Sequence, residues 1–223
     1  MKSQHMILAI DTATQWTALA LHDGASVVAE HGWRSVNTQT VELVPAISQM
    51  LQRADIGVGQ LKGIAVALGP GSYTGLRIGL GAAKGMALAH QVPLIGVPTL
   101  DIVAAAAGQT AGALVVVAEA GRRRITAGRY EWQQKRGWRS DQLPDNTTWE
   151  ELLAELEPPV VFSGEISAAA LRQIRAAGKG FQVVRPAARA RRAGYLAEIG
   201  WERLRRDEVD DAAALTPLYL REP

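Results

Sequence analysis

LGPGSYTGLRIGLGAAKGMALA, from Leu68 to Ala89, decides the fold. Pro70 fixes one backbone angle while Gly69 and Gly71 on either side permit unusual ones, so Gly69 to Thr74 reads as a stiff, tightly turned loop. Ser72 or Thr74 then caps a helix predicted over Gly75 to Ala89, whose first amides would face any anion held there. The loop is not a Walker A motif: Leu76 and Arg77 stand where that motif needs a lysine and a hydroxyl. In the helix, Gly75, Gly79, Ala83 and Ala87 recur every four residues on one face, and Gly81, Gly85 and Ala89 on another. Interior glycines each cost about 1 kcal/mol relative to alanine, so Gly79, Gly81 and Gly85 together give up roughly 3 kcal/mol. Small residues at this spacing let backbones approach closely. Packing on the chain's own sheet explains one strip; two strips call for two neighbours, one of them a partner subunit.

Strands flank this segment, Gly63 to Ala67 before it and Val92 to Val97 after. Upstream, the apolar run Ile7 to Ile10, the polar turn Asp11 to Thr14 and the run Thr17 to Leu21 read as a hairpin, and Asp23-Gly24 leads into a third strand over Ser26 to Glu30. From Thr40 to Ala54 the spacing of Val41, Val44, Ile47 and Leu51 predicts a helix with Thr40 as its N-cap and Pro45 disturbing its first turn. The opening pattern then repeats: an apolar strand Leu114 to Ala118, an acidic turn Glu119 to Gly121, a returning strand Ile125 to Tyr130. Helices near Trp149 to Leu156, Ala168 to Ala177 and Arg189 to Arg206 alternate with strands Val160 to Ser163 and Gln182 to Val184. Two αβ units, each opening on a hairpin with an acidic turn, describe the α/β actin-like, sugar-kinase-like (ASKHA) architecture, a duplicated ribonuclease H-like fold with mixed sheets. The expected lobes are 6–109 and 110–223, with the last helix packing back on the first.

A chain of 223 residues can bury a substantial core. It has no cysteine, which removes disulfides, thiolate metal sites and a cysteine nucleophile. Asp11 ends the opening apolar run too early for a signal-peptide core, and no uncharged apolar stretch reaches the roughly 18 residues of a membrane helix. A cytoplasmic protein without membrane contact is expected, with Met1 to His5 set aside from the fold. Residues 1–120 carry 6 basic and 7 acidic side chains, residues 121–223 carry 18 and 15. Arg122, Arg123, Arg189 and Arg192 are therefore candidate contacts to phosphates. The alternative is a solvated arginine-rich surface, which the near-neutral net charge favours.

GPGSYTGLRIG, Gly69 to Gly79, resembles the GPGSFTGLRIG segment of the TsaB (YeaZ) family, itself grouped with the M22 glycoproteases as a non-peptidase homologue. ILAIDTA (Ile7 to Ala13), IGVPTLD (Ile95 to Asp101) and TPLYLR (Thr216 to Arg221) resemble that family's opening, the strand after its helix, and its ending. QTVELVP (Gln39 to Pro45) resembles the start of its first helix, with Gln39 where histidine is common, and EAGR (Glu119 to Arg122) departs from the usual Asp-Ala-Arg. The resemblance implies a non-catalytic subunit that pairs with TsaD, the catalytic subunit, and is bridged by TsaE, an ATPase. The complex transfers a threonylcarbamoyl group from its adenylate to the tRNA adenosine beside the anticodon. It implies a homodimer when TsaD is absent, through the two helices that otherwise meet TsaD; here these carry Thr40, Val44 and Ile47, and Gly75, Gly79, Ala83 and Ala87. No cofactor is implied in the isolated chain, and an adenine nucleotide at the boundary of the complex stays open.

The residues themselves are poorly equipped for chemistry. His22, His31 and His90 are isolated, which gives a metallopeptidase no metal site. A small-molecule kinase would hold phosphates between Asp11 and Thr12 on one side and Glu119 and Gly121 on the other, but the second half lacks a clear Gly-Gly adenosine turn. A purely homodimeric interaction module shares every helix-face argument. The expected roles are structural: Asp11 and Thr12 in the first turn, Gly69, Pro70, Gly71, Ser72 and Thr74 in the loop, Arg77 anchoring it, and no catalytic or metal-binding residue.

Overall fold

A computed structural model of the chain describes residues 5–36, 38–121 and 124–220. They form two compact units. The first runs up to Ile102 and takes in Arg192–Leu218; the second runs from Val103 to Arg191 and resumes at Tyr219.

In the first unit β1 (Met6–Asp11), β2 (Trp16–His22) and β3 (Val27–Arg34) form an antiparallel meander. Helix α1 (Gln39–Arg53) leads to β4 (Leu61–Gly69), helix α2 (Tyr73–His90) to β5 (Leu94–Pro98), and β1, β4 and β5 run parallel. The sheet order is β3-β2-β1-β4-β5. Because successive side chains point to opposite faces, Leu8, Ile10, Leu19 and Leu21 meet Leu43, Ile47 and Leu51 of α1 and Leu80, Ala83 and Ala87 of α2. The other face carries Ile7, Ala9, Ala18, Ala20, Ala65 and Ala67. Pro45 sits inside α1, on its exposed side, without ending the helix. Helix α3 (Thr99–Ala106), absent from the sequence expectation, carries the division between the units at 102/103 rather than 109/110.

The second unit repeats the scheme. Strands β6 (Ala113–Gly121) and β7 (Arg124–Gln133) form a hairpin, and the short β8 (Gly137–Arg139) and β9 (Asp145–Thr147) both pair with β7. Helix α4 (Trp149–Glu155), β10 (Val160–Gly164), α5 (Ala168–Ala177) and β11 (Phe181–Val183) follow. The order β11-β10-β6-β7-β8 matches β5-β4-β1-β2-β3 strand for strand, so the repeat read from the sequence is a repeat of topology. Thr148 and Glu151 form a capping box at the start of α4, and the hydroxyl and amide of Thr148 hold the Glu151 carboxyl below its ordinary pKa. The core is Val115, Val117, Phe162, Trp149, Leu152 and Ile174.

The last helix, α6 (Ala193–Arg205), belongs to the first unit and lies on its alanine-lined sheet face. A β-carbon at Gly200 would stand 2.6 Å from that of Ala65, so only a small residue permits this approach. The helix starts four residues later than the expected Arg189. Arg189 gives its guanidinium to the carbonyls of Gly164 and Ile166 (3.2 and 3.1 Å), while the Glu30 carboxylate takes the Gly194 amide at 2.8 Å and pairs with Arg192, fixing the start there. Beyond α6 the chain covers the free edge of β5. Asp210 pairs with Leu94, its carboxylate accepts the Gly96 amide at 2.7 Å, and the Leu218 amide reaches the Leu68 carbonyl at 2.8 Å.

Candidate functional site

The quoted loop is seated on the first hairpin turn. In that turn the Ala13 amide donates to Asp11 Oδ1 at 3.0 Å. The Ala13 carbonyl accepts the Ser72 amide at 2.6 Å, and it lies where a β-carbon on Gly71 would come. Ser72 caps α2, its hydroxyl accepting the Gly75 amide at 3.2 Å, so Ser72 rather than Thr74 is the cap. Thr12 donates its hydroxyl to the Gly75 carbonyl at 2.7 Å, and its backbone oxygen and Oγ1 fill the space that side chains at Gly75 and Gly79 would need. From α1, the buried Gln39 donates to the Thr14 carbonyl at 2.7 Å and the Thr17 hydroxyl at 3.2 Å. The first turn is thus a hub joining the starts of both helices. An actin-like kinase would offer this turn to a phosphate; here the chain's own loop and helices take its carbonyls and its threonine hydroxyl.

This hub corrects the expected partner face. Gly75, Gly79, Ala83 and Ala87 are buried and face Thr12 and the sheet core, and Ile47 is only 4% exposed, so none of them can present a surface. The second strip is the outward one. Gly81 and Gly85 are exposed, and a β-carbon on either would meet nothing within 4 Å. Also exposed are Leu88 (59%) and Tyr73 (54%) on α2, and Val41 (70%) and Val44 (60%) on α1. Thr40 is exposed inside α1 rather than capping it; Thr38 holds the cap position. The helix start is fixed instead by Glu42, whose carboxylate accepts the Ser35 hydroxyl at 2.6 Å and the Trp33 indole at 2.9 Å. These bonds hold the Glu42 carboxyl below its ordinary pKa, the Ser35 bond contributing most. Arg77 rests its guanidinium 4.0 Å above the Tyr73 ring.

Of the expected tRNA contacts, Arg122 and Arg123 lie outside the described residues, and the guanidinium groups of Arg189 and Arg192 are engaged by the chain's own carbonyls and by Glu30. The second hairpin borders a cavity of about 760 Å3 whose walls include Glu119 and Glu150 as well as Arg124. His22 accepts the Gly24 amide at 3.0 Å, and His31 stacks on Trp33. Among the described residues no group of three His, Cys, Asp or Glu side chains is placed to hold a metal, and no helix is long and apolar enough to cross a membrane.

Comparison with known proteins adds independent information. The family model described as TsaD, tRNA N6-adenosine threonylcarbamoyltransferase, matches residues 37–223. The tRNA threonylcarbamoyladenosine biosynthesis protein TsaB of Bacillus subtilis (strain 168) is 33% identical over 221 residues, spanning 96% of this chain and 93% of that protein. Among solved structures, YeaZ from Pseudomonas aeruginosa superposes with a TM-score of 0.80 at 23% identity, covering 97% of this chain and 100% of that one. The Acidaminococcus fermentans (R)-2-hydroxyglutaryl-CoA dehydratase component A gives a TM-score of 0.52 at 11% identity, covering 90% and 99%. These two structural likenesses are of fold alone.

Proposed function

The chain belongs to the TsaB family of tRNA threonylcarbamoyladenosine biosynthesis proteins, and from that premise we propose that it is the non-catalytic partner that TsaD requires for threonylcarbamoyl transfer. The observation that carries this reading is the outward strip of α2. Gly81 and Gly85 give up about 2 kcal/mol of helix stability, and among the described residues nothing lies within 4 Å of where their β-carbons would stand. With the exposed Tyr73 and Leu88 on the same helix and Val41 and Val44 on α1, they offer a seat for a closely packed helix. TsaD docks there, and a second copy of the chain takes the same seat when TsaD is absent. TsaE joins the assembled pair, tRNA is handled by the complex in the cytoplasm, and any adenine nucleotide binds at the subunit boundary.

The first turn, filled by the chain's own loop, supports a scaffolding role over a kinase. The test is threonylcarbamoyl transfer to tRNA by TsaD and TsaE with and without this chain, beside ATP turnover by the chain alone. Transfer that depends on the chain, with no ATP turnover by the chain itself, is the expected result. Transfer that proceeds equally well without it overturns the proposal.

A further inference from the structure

Between Glu165 and Glu198 the sequence has no acidic residue and seven basic ones. Arg189 and Arg192 are engaged as described, and Arg191 is buried. The other four, Arg172, Arg175, Lys179 and Arg185, are all exposed. Arg172 and Arg175, three residues apart, lie on one face of α5, opposite the buried Ala170 and Ile174, and Lys179 follows just past the end of the helix at Gly178. Arg185 follows the edge strand β11 against which α5 packs. None of the four side chains forms a hydrogen bond or ion pair among the described residues.

We propose that this face of α5 with the exit of β11 is a docking surface for the phosphate backbone of RNA, with Arg172, Arg175, Lys179 and Arg185 as its contacts. A protein partner would need an apolar or aromatic centre. The exposed residues of α5 are instead arginine, glutamine, alanine and serine-capped backbone, a face whose attraction is almost wholly electrostatic. Phosphates bind such a face through charge and guanidinium hydrogen bonds, without reading sequence. The choice of tRNA as the RNA rests on the proposed function; the phosphate chemistry does not.

The test is binding of a fluorescently labelled tRNA transcript to the full chain. With about four phosphates engaged, raising salt from 50 to 200 mM weakens binding by about 100-fold. The double variant Arg172→Ala/Arg175→Ala lowers the slope of log K against log salt by about 2. Alanine suits exposed helix positions, so its thermal midpoint stays at the native value, and Arg53→Ala on α1 serves as a control that leaves binding unchanged. Absence of salt-dependent binding by the native chain, or equal affinity and slope in the double variant, overturns the proposal. So does a double variant that binds RNA normally but no longer co-elutes with TsaD, which would make the patch a protein interface. If transfer needs the chain while the double variant binds RNA as the native does, only the patch fails and the partner role stands.

Discussion

Thr12 is the pivot on which two glycines of one helix take opposite roles. Its hydroxyl bonds the Gly75 carbonyl and occupies the space beside Gly79, whereas Gly85 looks into open solvent. Gly79→Ala therefore destabilises the chain by about 1–3 kcal/mol, the usual range for overpacking a tight core. Gly85→Ala stabilises it by up to about 1 kcal/mol through helix propensity. Urea unfolding at one pH measures both, and equal signs for the two would contradict the assigned faces. Thr12→Val leaves the Gly75 carbonyl without its buried partner and costs about 1–3 kcal/mol. Both strips were legible in the sequence as strips, but which one faced inward was not. Their period is identical, and the choice is made by groups some sixty residues upstream, the Thr12 hydroxyl and the Ala13 carbonyl. Gln39 was likewise legible only as a departure from the resembled family; its clamp on Thr14 and Thr17 depends on a hairpin brought near by the sheet.

At the scale of elements, helix α1 is tied to β3 by one carboxylate. Glu42 accepts from Ser35 and Trp33, and its pKa in the folded chain is lowered. A lowered pKa contributes stability that is present above the ordinary glutamate value of about 4.3 and is lost as pH falls through the folded-state value. Acid unfolding of Glu42→Gln should accordingly show a shallower loss of stability below that pH than the native chain; identical acid limbs would mean that the carboxylate does not hold the helix. The long elements were readable because their apolar residues keep one period. Strands β8 and β9, three residues each, carry too few positions to show alternation. The start of α6 was missed because no local cap marks it, the cap being Glu30 on a distant strand. The segment after α6 illustrates the same limit: Asp210 covers the β5 edge through backbone and carboxylate bonds that no periodicity encodes.

For the whole molecule, duplication of one topology supplies two hairpin turns, the arrangement from which actin-like enzymes make a nucleotide cleft. Here the first turn is occupied by the chain's own glycine loop and the second borders a cavity whose walls include Glu119, Glu150 and Arg124. The outer face of α1 and α2, where Gly81 and Gly85 stand exposed, is the surface proposed to receive TsaD. The most direct test compares Gly85→Leu and Gly85→Ala for co-elution with TsaD and for threonylcarbamoyl transfer in the reconstituted system. A leucine on the exposed strip leaves the fold intact and fills the seat, so Gly85→Leu should lose both co-elution and transfer while keeping native thermal stability, with Gly85→Ala retaining at least part of each. Full co-elution and transfer by Gly85→Leu would contradict the claim that this face receives the catalytic partner.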